Sequence, residues 1–400
     1  MHTYGLLVIG SGPAGVSAAR AYVKAAGPGP VALISADIDE PYQRPPLSKE
    51  VLAGEKPPDG TPIGKPLPPE VEVRLGTSVT GLDLAARHVT AGGEAIGFER
   101  LVIATGAHPL PFPDADPDAE VHQLRSLDDA RRLTAAAQRS RSAVVIGSGF
   151  IGCEAAASLA KRGVETTLVT PEDGPQKKRL GEFASNQIAD WLTALGVELR
   201  TGVEVSGIAA PRTVHLYDGT TLAPDMILAA VGITAGADAL DCPDLQMHEG
   251  RIVVDQHLAA APGVWVAGDS ARALNTAAGR PLVVEHWGDA LSMGKLAGTN
   301  AAAGDDAQQP WDSVPGFWST IGDHTLEYAA WGDGHEIEEV VERVGGFAVW
   351  YGDAAGTAVG VLTYNADDDY ERGEALIAAG ATVTEARSGV SAEVPDHGEE

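Results

Sequence analysis

The sequence has only two cysteines, Cys153 and Cys242, and they stand far apart in a chain of 400 residues. It contains no Cys-x-x-Cys motif, which excludes dithiol redox chemistry and the usual ligand spacing of a zinc site. Two distant cysteines also cannot form the disulfide framework of a small secreted protein. We therefore expect both cysteines to be structural, and we predict no metal site.

Basic residues are also scarce, since 28 Lys and Arg face 56 Asp and Glu and give a net charge of -28. Such a chain is not a general nucleic-acid binder, because the phosphate backbone repels it. The sequence has no run of 18 apolar residues and no N-terminal signal pattern. We therefore expect a cytoplasmic protein that does not enter a membrane. Whether the acidity reflects a salt-rich host or genome composition stays open.

The segment Leu6–Val23 carries the strongest motif of the chain. Its apolar start predicts a buried strand, and Gly10, Gly12 and Gly15 follow in G-x-G-x-x-G spacing before an alanine-rich helix. This arrangement is typical of a turn that holds a pyrophosphate against the backbone and a helix N-terminus. Asp37 follows the next apolar strand, 22 residues after Gly15, where a carboxylate can bind ribose hydroxyls. The sequence therefore predicts a dinucleotide site.

The same pattern occurs a second time. The strand 143–146 leads into Gly147, Gly149 and Gly152, and a helix is predicted for 150–162. In each half a hairpin and a further strand follow, ending at Gly106 and at Gly232. The duplication predicts two bound dinucleotides.

Other candidate ligand contacts lie at strand ends and in one proline-rich loop. The strand 101–104 runs into Thr105 and Gly106, and the strand 264–266 is followed by Gly268 and Asp269. Since the carboxyl ends of parallel strands open onto the ligand crevice, these residues are expected near the first site. The loop Pro41–Glu50 is stiffened by prolines and presents Arg44 and Lys49.

These patterns predict an α/β protein with two Rossmann-like dinucleotide-binding domains and a C-terminal α+β domain of aromatic strands. The predicted domains are 1–112 with 241–308, then 113–240, then 309–388, and 389–400 is expected to be disordered.

Several longer motifs narrow the class: PYQRPPLSK, LVIATG, VVIGSGFIGCE, GVWVAGD, VVEHWGDA and PGFWS. With them the chain resembles the FAD-dependent, NAD(P)H-using ferredoxin reductases that serve oxygenases, the putidaredoxin reductase group, over residues 6–362. Apoptosis-inducing factor shares much of the pattern. The resemblance implies the three-layer, glutathione reductase-like arrangement of two dinucleotide domains.

The resemblance also implies roles for individual residues. Lys49 would lie beside the flavin and pair with Glu154, and this pair would tune the flavin. FAD contacts would fall on Gly10, Gly12, Pro13, Ala14, Gly15, Asp37, Arg44, Lys49, Val79, Ala104, Thr105, Gly106, Gly268, Asp269, Glu285, His286, Trp287 and Trp318. NAD(P)H contacts would fall on Gly147, Gly149, Phe150, Ile151, Gly152, Glu154, Thr170, Lys178, Val231 and Gly232.

The second glycine motif departs from the family pattern after its next strand. Reductases that prefer NADH commonly carry Glu there, whereas this chain has Thr170-Pro171-Glu172. Glu172 could replace the missing acid, Lys177, Lys178 and Arg179 could bind a 2′-phosphate, or these bases could be solvated. The nucleotide preference stays open, with NADH favoured over NADPH.

The implied activity is transfer of a hydride from NAD(P)H to FAD and of single electrons onward to a 2Fe–2S ferredoxin or another iron–sulfur carrier. With no cysteine pair available, electrons would leave directly from the flavin. An acidic ferredoxin would need a local basic surface, for which Arg125, Arg131, Arg132, Arg139 and Arg141 are candidates. The alternative is a slow NADH-binding flavoprotein resembling apoptosis-inducing factor, with a redox-dependent partner. A monomer or a homodimer is expected.

Overall fold

The computed structural model describes residues 2–304 and 307–388, so the predicted tail 389–400 lies outside the described residues. The helices are α1 Pro13–Lys24, α2 Glu50–Ala53, α3 Leu127–Ala137, α4 Phe150–Lys161, α5 Lys177–Ala194, α6 Trp287–Ala303, α7 Asp367–Ala378 and α8 Val383–Ser388. The first strands are β1 Thr3–Ile9, β2 Val31–Ile34, β3 Val71–Arg74, β4 Val79–Asp83, β5 His88–Ala91, β6 Glu94–Ile103 and β7 Ala107–Pro109. The next are β8 Val121–His122, β9 Ser142–Ile146, β10 Glu165–Val169, β11 Glu198–Arg200, β12 Val205–Ala209, β13 Thr213–Leu216, β14 Thr221–Leu222, β15 Met226–Ala229 and β16 Ile233–Ala235. The last are β17 Met247–His248, β18 Arg251–Val254, β19 Ala259–Ala261, β20 Val264–Val266, β21 Ala271–Asn275, β22 Arg280–Leu282, β23 Gly316–Ile321, β24 His324–Ala330, β25 Ile337–Arg343, β26 Gly346–Gly352 and β27 Ala358–Tyr364.

The first glycine motif follows β1, a central strand of an eight-stranded sheet. The main order of this sheet is β19-β20-β6-β1-β2-β3, and the β4–β5 hairpin joins it because β5 also pairs with β6. The strands β20, β6, β1, β2 and β3 run parallel. Residues 4–9 of β1 are all buried, as expected for a central parallel strand covered on both faces. The carboxyl ends of β1, β2, β6 and β20 therefore meet at one edge.

Helices α1 and α6 pack with their backbones almost in contact. A Cβ atom on Gly294 would stand 2.1 Å from the Ala14 carbonyl oxygen, and one on Gly298 would stand 2.1 Å from the Ala18 carbonyl oxygen. The approach is possible because α1 has alanines four residues apart at this contact and α6 has glycines four residues apart. The contact fixes α6, whose first turn carries His286 and Trp287, against the helix of the first glycine motif.

We expect Gly298→Val to destabilise the protein by about 3 kcal/mol, because the new side chain must separate the two helices. Thermal or urea unfolding measures this effect. Gly288→Ala is the matched control on α6, since its Cβ would meet nothing closer than 3.8 Å. Equal stability of the two variants would contradict the close packing.

The second glycine motif lies on a five-stranded parallel sheet with the order β11-β10-β9-β15-β8. The β12–β13–β14 meander packs on it through Ile208, Val214 and Leu216. Strands β7 and β16 form a small antiparallel sheet, which pairs the segment after β6 with the segment after β15. The predicted α/β architecture with two nucleotide-binding sheets is confirmed; the domain limits stay predictions.

The C-terminal unit is an antiparallel sheet with the order β23-β24-β27-β26-β25, covered by α7 and α8. Strand β25 has no counterpart in the sequence analysis, because its pattern is Glu-rich and none of its residues is fully buried. Tyr351 donates its hydroxyl to the Leu180 carbonyl oxygen at 2.8 Å, and the Trp191 ring stacks on His324 at 4.4 Å. These contacts hold the C-terminal sheet against the second half.

Candidate nucleotide sites and their junction

The first glycine motif is closed by backbone contacts that leave no space for side chains. Gly10 has φ +108°, and a Cβ atom there would stand 2.2 Å from the Ala104 carbonyl oxygen. A Cβ on Gly15 would stand 1.9 Å from the Gly10 carbonyl oxygen. Gly12 caps α1 without a side-chain hydrogen bond, and no acid occupies the first turn. The N–H groups at the start of α1 are therefore available to an anion.

Two arginines converge beside this helix start. A Cβ on Gly12 would lie 3.0 Å from a terminal nitrogen of Arg44. Burial, and then the charge of Arg125, lower the pKa of Arg44. The buried Nε of Arg44 has no hydrogen-bond partner within residues 2–304 and 307–388. Arg125 donates to Asp269 at 2.6 Å and to the Ala107 carbonyl oxygen at 3.1 Å. A guanidinium with an unpartnered buried nitrogen at a helix N-terminus fits a pyrophosphate.

Asp37 lies three residues beyond the end of β2 and is half-buried. Its carboxylate accepts the Asp39 N–H at 3.1 Å and the Tyr42 hydroxyl at 2.7 Å. Tyr42 in turn accepts the N–H of Leu127 at 3.0 Å, and burial raises its pKa to about 12. The carboxylate is therefore held in a fixed position at the sheet edge.

The second motif repeats this geometry. Gly147 has φ +100°, and its Cβ would stand 2.4 Å from the Ala230 carbonyl oxygen. A Cβ on Gly152 would stand 2.0 Å from the Gly147 carbonyl oxygen. Gly149 caps α4 without a side-chain bond, and no acid lies in the first turn. A second anion site with open N–H groups results.

A buried ion pair joins the two halves. Lys49 Nζ lies 2.9 Å from Glu154 Oε2, with side-chain exposures of 14% and 4%. Ser48 donates to Glu154 Oε2 at 2.5 Å, and Ser319 donates to Oε1 at 2.7 Å. Glu154 belongs to α4, Ser48 and Lys49 to the proline-rich loop and Ser319 to β23, so three parts of the chain meet at one carboxylate. The sequence analysis quotes Ser48 and Ser319 within two motifs but gives neither a role.

The proline-rich loop is fastened to α4 by further bonds. Ser158 donates its hydroxyl to the Ser48 carbonyl oxygen at 2.8 Å, and Arg162 donates to the Leu52 carbonyl oxygen at 2.8 Å. The first bond holds Ser48 and Lys49 against α4, and the second holds α2 against the end of α4.

An aromatic cluster lies at the same junction. The Phe317 ring lies 4.5 Å from Phe150 and 4.5 Å from His286, so β23 touches the starts of both α4 and α6. Trp287 is half-buried against the hydrophobic core around β1 and α1, and Trp318 is 44% exposed. His286 caps α6 and bonds Asp289 at 3.0 Å, where burial raises the pKa of the Asp289 carboxyl.

Some candidate residues stand apart from these groups. Glu285 is exposed and pairs with Arg251, and Val79 opens β4. In the second half, Thr170 is 1% exposed with its hydroxyl 2.8 Å from Ser148 Oγ, so its side chain faces the interior. Ile151 and the Lys178 side chain are exposed. Val231 and Gly232 follow β15 near the second motif.

Most of the arginines considered for a basic surface already have acidic partners. Arg125 binds Asp269 inside the first site, and Arg141 lies 3.8 Å from Asp225. Arg131 bridges Asp39 and Asp59, and Arg132 pairs with Asp128 and Asp129. Arg139 is exposed. The charges of these candidate arginines are therefore largely neutralised by the chain's own carboxylates.

Cys153 and Cys242 are both buried free thiols, and burial raises the pKa of each. Neither is poised as a thiolate nucleophile. Across residues 2–304 and 307–388 there is no group of acidic, histidine or cysteine side chains that could hold a metal ion. In the same residues no helix is long and apolar enough to cross a membrane.

Two repeated phosphate-binding turns with a buried cation between them define an oxidoreductase of the class that binds two dinucleotides. The chain belongs to the pyridine nucleotide-disulphide oxidoreductase family, whose model matches residues 4–294. It is similar to the ferredoxin reductase subunit of a 5,5′-dehydrodivanillate O-demethylase from Sphingobium, with 31% identity over 96% of this chain and 95% of that protein. It is 30% identical to a putative apoptosis-inducing factor 1 of Drosophila melanogaster, over 79% of this chain and 48% of that protein. A crystal structure of a ferredoxin reductase from Rhodopseudomonas palustris superposes with a TM-score of 0.86 at 28% identity, covering 97% of both chains.

Proposed function

We propose that this protein uses FAD and NADH to reduce an iron–sulfur electron carrier of the ferredoxin type. The observation that carries the proposal is the buried Lys49–Glu154 pair, which joins the loop after the first motif to the helix of the second. The pair keeps a cation at the junction of two dinucleotide sites, where a hydride can pass from one ligand to the other. The sequence offers no cysteine pair as an intermediate acceptor.

The first motif would hold FAD and the second the pyridine nucleotide. The backbone of Gly10, Gly12 and Gly15 would lie against the pyrophosphate, with Arg44 and Arg125 neutralising its charge. The remaining FAD and NAD(P)H contacts named from the sequence are part of the same proposal. Arg125 is added to them because its guanidinium lies 2.6 Å from Asp269.

FAD, when bound, supplies the chemistry that accepts a hydride and releases electrons singly. The Lys49 ammonium would stabilise the negative charge that the hydride brings, and the N–H groups at the start of α6 would add to this effect. Glu154 keeps Lys49 in place, while Ser48 and Ser319 fix the carboxylate. Trp287 and Trp318 would border the site and exclude water.

A 2Fe–2S ferredoxin is the proposed carrier, since relatives are named ferredoxin reductase subunits of oxygenase systems. The cytoplasmic location and the choice between monomer and homodimer stay predictions. Four of the five candidate arginines are paired with carboxylates, and a net charge of -28 repels an acidic carrier at long range.

We expect the second-order rate of electron transfer to an acidic 2Fe–2S ferredoxin to rise with salt. Screening at about 0.15 M ionic strength, where the Debye length is roughly 8 Å, weakens the repulsion between two acidic proteins. Stopped-flow measurement of ferredoxin reduction across a salt series checks this. A rate that falls steeply with salt would reveal a basic docking surface and contradict the neutralised arginines.

The function is tested by reconstituting the protein with FAD and mixing it rapidly with NADH and then with oxidised ferredoxin. The proposal expects fast flavin bleaching followed by ferredoxin reduction at many turnovers per protein. The alternative, a slow flavoprotein like the apoptosis-inducing factor relative, expects a long-lived charge-transfer band, negligible ferredoxin reduction and dimerisation on reduction. Protein that cannot be loaded with FAD would contradict both.

A further inference from the structure

The two nucleotide motifs share a pair of buried hydroxyls that locates equivalent positions in each half. In the first, Ser11 Oγ lies 2.8 Å from Ser35 Oγ, directly after β2. In the second, Ser148 Oγ lies 2.8 Å from Thr170 Oγ1, directly after β10. Each pair links the glycine turn to the end of the following strand. Ser35 and Thr170 are therefore counterparts.

The backbone hydrogen bonds around these hydroxyls show the same correspondence between the two halves. The Gly10 N–H donates to the Ile34 carbonyl oxygen at 2.7 Å, and the Gly147 N–H donates to the Val169 carbonyl oxygen at 2.8 Å. Ile34 and Val169 are the last residues of β2 and β10. The register of the two halves is thus the same at this edge.

Two residues further along, an acid occurs in both halves. The Asp37 N–H donates to Ser35 Oγ at 3.2 Å, and the Glu172 N–H donates to Thr170 Oγ1 at 3.3 Å. Glu172 therefore occupies in the second half the position that Asp37 occupies in the first. The family pattern places the acid directly after the strand, where this chain has Thr170, and the hydroxyl of Thr170 is turned into the protein.

The Glu172 carboxylate is half-buried and fixed. Its Oε2 accepts the Lys178 N–H at 2.9 Å, and the Glu172 carbonyl oxygen accepts the Gly202 N–H at 2.8 Å. The cationic run Lys177-Lys178-Arg179 begins five residues further along the chain, and the Glu172 carboxylate holds its backbone through the Lys178 N–H.

We infer that Glu172 determines the nucleotide specificity of the second site. Its carboxylate accepts the 2′-hydroxyl of the adenosine ribose of NADH and repels the 2′-phosphate of NADPH. This inference rests on the proposed function only in requiring that the second motif binds a pyridine nucleotide.

The test compares Glu172→Gln with the wild type, both loaded with FAD. Equilibrium binding of NAD⁺ and NADP⁺ is measured by calorimetry, and KM values for NADH and NADPH are measured in parallel. Glutamine keeps an oxygen for the Lys178 N–H, so the fold is retained. We expect NAD⁺ binding to weaken about tenfold, and NADP⁺ binding to strengthen about tenfold because the charge that repels the 2′-phosphate is removed.

Asp173→Asn is the matched control, since it removes the neighbouring exposed carboxylate and is expected to leave both affinities unchanged. Adding Lys177→Ala and Lys178→Ala to Glu172→Gln is expected to abolish the gain for NADP⁺. If Glu172→Gln leaves the ratio of the two affinities within twofold of the wild type, or Asp173→Asn shifts it equally, the inference is overturned. Wild-type protein that binds neither nucleotide would instead overturn the proposed function.

Discussion

Replacing Lys49 with methionine is expected to lower the free energy of unfolding by about 3 kcal/mol, because it leaves the Glu154 carboxylate buried without its cation. Glu154 is 3% exposed, and only the hydroxyls of Ser48 and Ser319 remain to solvate it. The double variant Lys49→Met/Glu154→Gln should recover much of the loss, since the uncompensated charge is then gone.

The same Lys49→Met substitution should slow flavin reduction by NADH by about 100-fold, as expected when one preorganised charge at the reacting centre is removed. The double variant should stay slow although it is stable. Urea unfolding measures the first effect and stopped-flow flavin absorbance the second. Loss of rate that is fully restored in the double variant would show that Lys49 acts on folding alone.

Lys56 provides a matched control for this experiment. Its ammonium lies 3.2 Å from Glu50, in a pair whose side chains are 51% and 35% exposed. Surface pairs contribute roughly 0 to 1 kcal/mol, so Lys56→Met should leave stability and flavin reduction nearly unchanged. A loss at Lys56 equal to that at Lys49 would contradict the importance of burial.

Replacing Arg44 with methionine is expected to change the FAD-free and FAD-bound protein in opposite directions. Without FAD, Arg44 is a half-buried cation whose buried Nε has no partner among the residues described, so its removal should stabilise that form by about 1 kcal/mol. With FAD, the variant loses charge-assisted hydrogen bonds to the pyrophosphate, and affinity should fall about 100-fold.

The measurement pairs thermal unfolding of FAD-free protein with FAD titration followed by flavin fluorescence. Arg162→Met is the control, because Arg162 donates to the Leu52 carbonyl oxygen at 2.8 Å outside the first site. It should destabilise the FAD-free protein and leave FAD affinity unchanged. An Arg44→Met variant that is less stable without FAD would show that the guanidinium has a structural role.

The residues around Lys49 show where prediction from the sequence ends. The resemblance implied its pairing with Glu154. Ser48 and Ser319 belong to quoted motifs but were given no role, although they bond Glu154 directly from 106 and 165 positions away. Serine is common in loops and strands, so its type gives no signal at such separations. The acidic partners of Arg125 and Arg131 were not predicted for the same reason, and these arginines were candidates for a basic surface.

The glycine turns, the strands before them and the helices after them were determined by the sequence itself, because strand period, helix period and turn chemistry depend on residues a few positions apart. Folding in three dimensions decided which charges meet. Only the packed sheets bring Ser319 to Glu154 and turn Thr170 inward against Ser148, since such contacts depend on the register of distant strands.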